Sequence, residues 1–322
     1  MQALREHVAV AIDGGGIRGV MVTRALSILE EKLGKPAYEI FELAAGTSTG
    51  SIISAGIAAR RSGEEMFRLY KTLGNEVFRP SWRSALWPLT AYRYPHDPLE
   101  SAIRTHIGTM TMGELWANDK PVDIVITAFD VVTNHTCFIK PWKTEYTSWP
   151  VSRAVLASCS VPTYFPPVEG RFVDGGVGAY ANPCYLAAYE LWRVLQWDPA
   201  ETTLISLGTG REPHTLLPGQ ADGFRAWHWL SPILSAFQQS ADDQQIHLVR
   251  TYFDKLDFRR FQVDLREPIA MDDPSQIPAL AAYGDELGRK LLNNEQDQTI
   301  EFTVPRPPQS ACGLTLEAGR NR

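Results

Sequence analysis

Apolar residues run unbroken from Val8 to Ile12, stop at Asp13-Gly14-Gly15-Gly16, and recur at Val20, Ala25, Ile28, Leu29 and Leu33 before Gly34 and Pro36. A short continuous run, a glycine turn and a helical period predict strand, tight turn, helix. The pattern returns at once: Ile40 to Ala45 predicts a second strand, Gly46 to Gly50 a turn, and the small-residue stretch Ser51 to Arg60 a second helix. Asp123 to Phe129 predicts a buried strand paired with the alternating Thr136 to Ile139, and Thr203 to Leu207 another ahead of Gly208-Thr209-Gly210. Helices are expected over Val151 to Ser160, Pro183 to Leu195, Pro232 to Phe253 and Pro278 to Leu292. Strands that alternate with helices imply an α/β fold with a mainly parallel sheet covered on both faces.

No linker or repeat divides the 322 residues, so one domain is expected over residues 5–303, with a loose tail at 304–322. Residues 79–98 contain four prolines and no period, and read as an irregular insertion. Within it Trp82, Trp87, Tyr92 and Tyr94 interleave with Arg83 and Arg93. That mixture suits either a loop packed over the core or a patch that settles at a lipid headgroup layer.

Charge removes one class of partner. The net charge of −6 leaves no basic excess for a phosphate backbone, so nucleic acid is not expected. The longest uncharged apolar run, Ser51 to Ala59, is about half the length a transmembrane helix needs, and no leader pattern precedes the first strand. Four scattered cysteines form neither a disulfide framework nor a zinc set, which favours a reducing, cytoplasmic setting.

Three segments carry chemistry. Gly46-Thr47-Ser48-Thr49-Gly50 is a G-x-S-x-G between a predicted strand and helix, the context in which a sharp elbow lifts a serine hydroxyl above the sheet edge. The same serine could merely cap the helix. Gly14, Gly16 and Gly19 form a G-x-G-x-x-G, but Asp13 would crowd a pyrophosphate, and no acidic residue ends the second strand to bind a ribose. The amides of Gly14, Gly15 and Gly16 can instead converge on one oxyanion, with Arg18 adding positive charge nearby. Phe172-Val173-Asp174-Gly175-Gly176 places a carboxylate at a glycine turn, where Asp174 could take the serine proton or be a solvated turn residue.

In that order the three segments resemble the patatin-like acyl hydrolases, whose pattern is D-G-G-G-x-[RK]-G, then G-x-S-x-G, then D-G-[GA]. Residues 157–167, small residues followed by prolines and aromatics, also look like that family's approach to its aspartate. The resemblance covers about residues 7–210. It implies a three-layer α/β/α sandwich and a Ser48–Asp174 dyad, with Gly14, Gly15, Gly16 and Arg18 at the oxyanion hole and Gly46 and Gly50 framing the nucleophile. It implies acyl esters of phospholipids or other lipids as substrates; an enzyme of that kind without a membrane span would meet them by peripheral contact with a bilayer, and since no metal-ligand set or calcium loop is visible in the sequence, neither a cofactor nor a metal is expected. One departure is Ser51, where many relatives have a second glycine. Two rivals stay open: a Ser-Asp-His esterase drawing on His214, His228 or His247, and a non-catalytic lipid-binding or storage protein.

Overall fold

A computed structural model describes residues 2–87, 89–213, 216–225 and 228–298. The first strand, β1 (His7–Ile12), passes through a single 3₁₀ turn into α1 (Gly19–Leu33). A short helical turn, α2 (Ala37–Ile40), precedes β2 (Leu43–Thr47), and α3 (Thr49–Ala58) starts directly beyond Ser48. Next come α4 (Gly63–Val77), the short α5 (Trp82–Ala85), α6 (Asp97–His106) and α7 (Met112–Trp116). The strands β3 (Asp123–Asp130) and β4 (His135–Ile139) are followed by α8 (Thr144–Thr147), α9 (Val151–Cys159) and β5 (Phe172–Asp174). Helix α10 (Cys184–Tyr189) widens into a π-type turn to Val194 before β6 (Thr202–Leu207). Finally α11 (Leu230–Tyr252), β7 (Asp257–Phe261) and α12 (Ile277–Asn293) close the described part of the chain.

The strands form one sheet in the order β4-β3-β2-β1-β6-β7, with β5 also paired to β3. Pairs β1–β2, β1–β6, β2–β3 and β6–β7 are parallel, while β4 and β5 run antiparallel to β3. Because β2 lies on one side of β1 and β6 on the other, the turn after β1 opens at a switch point, where α/β sheets form ligand crevices.

Alternation along the strands builds two cores. Val8, Val10 and Ile12 join the larger cluster with α1, α3, α4 and α9, while Ala9 and Ala11 face the smaller one with Cys184, Ala187 and Ala188 of α10. The result is the expected three-layer α/β/α sandwich.

Among the boundaries that differ from the sequence reading, two lie at the site. The run beginning at Ile40 is not all strand: Ala37 to Ile40 coil as α2 after Pro36, and β2 instead extends through Gly46 to Thr47. Helix α3 accordingly starts at Thr49 and ends at Ala58, not at Ser51 and Arg60. The sequence reading named neither α4, although Ser62 and Glu65 form a capping box at its start, nor α6, α7 and β7, and the insertion read as irregular contains the short α5.

Candidate active site

Register along β3 creates the site. Strand β2 pairs with β3 up to Thr47 opposite Thr127, and β5 pairs with the next residue, Asp174 opposite Ala128. With β4 on the other side of β3, the end of β2 and the end of β5 meet head-on along one edge. Ser48 and Asp174 are the residues at that junction, and both are buried.

Ser48 holds φ 54° and ψ −123°, the strained turn of an elbow. It stands at the N-cap position of α3, yet its hydroxyl caps nothing, so the capping reading fails and the Oγ is left for other use. The flanking glycines are required by close approach: a Cβ on Gly46 would lie 2.2 Å from the Gly50 carbonyl oxygen, and one on Gly50 2.2 Å from that of Ile12. Two serines steady the elbow. The Ser48 N–H donates to Ser158 Oγ at 2.8 Å, and Ser51 Oγ donates to the Ser48 carbonyl at 2.6 Å. Ser51, the departure from the family pattern, thus bonds the elbow in a way glycine could not.

Asp174 Oδ1 accepts the Gly176 N–H at 2.7 Å, while the sealed Oδ2 has no partner of hydrogen-bond geometry. Burial raises the carboxyl to about 6, against the downward pull of the Ser48 hydroxyl and the Gly176 N–H. Ser48 therefore lies near enough to act on the carboxylate without being locked to it, and such bonds often tighten only around a substrate.

The glycine turn divides its amides. Gly14 N–H donates to the Ala181 carbonyl at 2.8 Å, so it is already engaged, whereas Gly15 and Gly16 N–H have no acceptor among the described residues. Gly16 has φ +58°, and a Cβ there would meet the Met271 carbonyl at 2.4 Å. Arg18 is half-buried and paired: Nη1 lies 2.9 Å from Glu212 and Nε 3.4 Å from the Gly15 carbonyl, so it clamps the turn. Asp13 points the other way, held by Arg260 of β7 through two bonds of 2.8 and 2.6 Å. The carboxylates of Asp13 and Asp242 raise the Arg260 pKa and keep its guanidinium charged.

Ser48 and Gly16 open onto a cleft of about 560 Å³ whose other walls are apolar or aromatic, including Ile52, Leu73, Val77, Phe78 and Phe165. Tyr70 donates to the Thr49 carbonyl at 3.1 Å, which satisfies its hydroxyl at the cleft wall. Sequence reasoning missed Ser158, Tyr70 and Arg260. Tyr70 had a legible signal in the capping box and period of α4, and Ser158 lay in the small-residue stretch 157–167 without its own role being legible there, whereas Arg260 had no signal.

The candidate histidines lie elsewhere. His228 accepts the Arg225 N–H at 3.1 Å, and His247 contacts Thr251 one turn along α11. Neither lines the cleft or acts on Asp174. His214 falls outside the described residues. Among the described residues no group of three His, Cys, Asp or Glu side chains could hold a metal ion, and no helix is long and apolar enough to cross a membrane.

Comparison with known proteins gives the family. The family model for patatin-like phospholipase matches residues 10–188. Patatin-17 of Solanum cardiophyllum is 26% identical over 94% of this chain and 89% of its own length. An intracellular phospholipase A2 of Caenorhabditis elegans is 31% identical over 65% of this chain, which spans only 20% of that protein. A protein of Solanum tuberosum named probable inactive patatin-3-Kuras 1 is 24% identical over 94% of this chain and 92% of its own. Likeness alone therefore does not carry activity; the residues of the site must.

Proposed function

This chain belongs to the patatin-like phospholipase family, and from that premise we propose that it is a lipid acyl hydrolase in which Ser48 is the nucleophile and Asp174 the general base. The observation that carries the reading is the meeting of β2 and β5 along β3, which joins an uncommitted serine hydroxyl to a carboxylate with an unpartnered Oδ2.

In the first half-reaction Ser48 Oγ attacks the ester carbonyl while its proton passes to Asp174 Oδ2. A carboxylate is a weak base in water, and burial lifts Asp174 toward the strength the step needs. The oxyanion would draw on the Gly15 and Gly16 amides and the N-terminus of α3, each such donor being worth about 10²–10³ in rate. Collapse breaks the bond to the alcohol oxygen, which takes the proton from Asp174, and the acyl group stays on Ser48. Water, deprotonated in turn by Asp174, cleaves this ester, releases the carboxylic acid and restores the serine. The apolar cleft supports an acyl chain as the group held during both steps.

Contact with a bilayer follows from that substrate class. Trp82 is 62% exposed, Leu86 51% and Leu89 87%, while the same segment is anchored to the cleft wall by Tyr94 N–H donating to the Tyr164 carbonyl at 2.8 Å. The insertion is thus divided: Tyr94 packs inward near Phe78 and Phe165, and its outer apolar side chains remain available for lipid beside the cleft.

A fluorophosphonate probe tests the reading. It should label wild-type protein at Ser48 and leave Ser48→Ala unlabelled; labelling at another residue, or none, would overturn it.

A further inference from the structure

On the far side of Ile52 from the acyl cleft lies a second cavity of about 740 Å³, bounded by α3, α4 and the end of α6. Its character is different. Arg61, Arg68 and His106 line it together with one carboxylate, Glu65, and with Thr72 and Thr105 between them. The threonine hydroxyl protons are already directed at the carbonyls of Arg68 and Ser101, so the donors left to face the cavity are those of Arg61 and His106 and whatever part of the Arg68 guanidinium its outward pair with Glu64 leaves over.

Arg61 is the anomaly. Its backbone is fixed just past α3, where its N–H donates to the Gly56 carbonyl at 2.9 Å. Its Nε is sealed from solvent without an acceptor, and among the described residues its side chain makes no hydrogen bond or ion pair. A guanidinium stays charged at any physiological pH, and a buried donor on it left unmade is costly. Nearby carboxylates do not answer it directly. Glu65 accepts the Ser62 N–H at 2.7 Å and its hydroxyl at 3.0 Å, reaching Arg61 only through charge, and Glu64 pairs with Arg68 at 3.0 Å on the outside.

We propose that this cavity binds a phosphate-bearing ligand distinct from the ester cleaved at Ser48, with Arg61 as its anchor and Arg68 and His106 beside it. A planar guanidinium offers paired donors that match phosphate oxygens. Gly56 lies two turns from Ser48 along α3, roughly 12 Å, so a phosphate only a few bonds from the reacting ester would not reach the floor of this cavity. Ile52 lines both spaces, and an occupant would press on the helix that begins at the nucleophile. The proposal does not depend on the hydrolase reading.

The shared chemistry could come from a soluble phosphate or from a lipid headgroup, and the test separates them. The full chain carrying Ser48→Ala is titrated with inorganic pyrophosphate by calorimetry and, separately, floated with phosphatidylglycerol or phosphatidylcholine vesicles. Arg61→Gln should weaken the responding probe at least tenfold, with Arg61→Lys in between. If Arg61→Gln melts early, Arg68→Gln and His106→Asn provide the reading, each expected to weaken binding severalfold. Response to pyrophosphate assigns a soluble ligand, and response to phosphatidylglycerol vesicles alone assigns a headgroup. Absence of binding by both probes, or binding indifferent to all these substitutions, would overturn the proposal.

Discussion

Thr47 and Asp174 arrive at neighbouring residues of one strand from opposite directions, Thr47 opposite Thr127 and Asp174 opposite Ala128. A shift of one residue in either pairing would turn side chains to the other face of the sheet and separate Ser48 from Asp174. The strained elbow at Ser48 is tolerable because the surroundings hold it: Ser158 takes its N–H, Ser51 its carbonyl, and the glycines on each side admit the close backbone approach.

Ser48→Ala and Asp174→Asn should each reduce kcat for a soluble p-nitrophenyl ester by about 10²–10⁴ or more. The two groups act as a unit, so the double variant should be no slower than the slower single one. An Asp174→Asn enzyme retaining more than about a tenth of wild-type kcat would remove Asp174 from the role of base, by the same scale for loss of a general base.

The pH profile follows from the raised Asp174 carboxyl. A base must be ionised, so kcat/KM should climb with pH and reach half its plateau near 6. Stability should run the opposite way. With the folded pKa above the unfolded one, this group contributes stability below about pH 4 that is lost as pH rises through about 6. Asp174→Asn should therefore be more stable than wild type by about 1–3 kcal/mol at pH 8, an advantage that fades below pH 4, as melting curves across pH would measure.

His228→Ala and His247→Ala should leave at least about a third of the activity, because neither side chain meets the Ser48 cleft. A loss of about four orders of magnitude, as for a triad member, would restore the Ser-Asp-His alternative.

Ser158→Ala should strand the buried Ser48 N–H and cost about 1–3 kcal/mol of stability, measured by denaturant titration. Because the bond orients the elbow, kcat should fall while KM for a short ester stays near wild type. Unchanged kcat would show that Ser158 supports only the fold.

Serine at Trp82, Leu86 and Leu89 together should lower binding to, and hydrolysis of, phospholipid vesicles while sparing the soluble ester, since these side chains face outward. Trp87 is left intact because its ring turns back toward Arg93, whose guanidinium carbon lies 5.4 Å from the ring centre. Equal losses on both substrates would end the membrane-contact idea.

Local order was legible where a short stretch of chain dictates its own geometry. Gly15, Gly16 and Gly175 marked turns, and Gly46 and Gly50 the strand and helix ends that meet at the elbow, all at positions whose neighbours leave no room for a Cβ; alternation in β1 and β3 marked buried strands. The apolar run at Ile40 was ambiguous because a helical turn and a buried strand share that composition; Pro36 and the packing of Phe41 decided it. Helix α4 carried its capping box and apolar stripe in plain view, and was lost only among the neighbouring turn signals.

From its sequence alone this protein is an α/β chain with a serine elbow, a glycine turn and a late aspartate in a fixed order, because each is written in contiguous residues. Tertiary structure alone decided which amides remain unbonded, that Arg18 is paired with Glu212, that Asp13 turns to Arg260 from 247 positions away, and that α4, α6 and α9 wall an apolar cleft. Those outcomes depend on contacts between distant segments, whose partners are selected by sheet order and burial and leave no mark in any local pattern of residues.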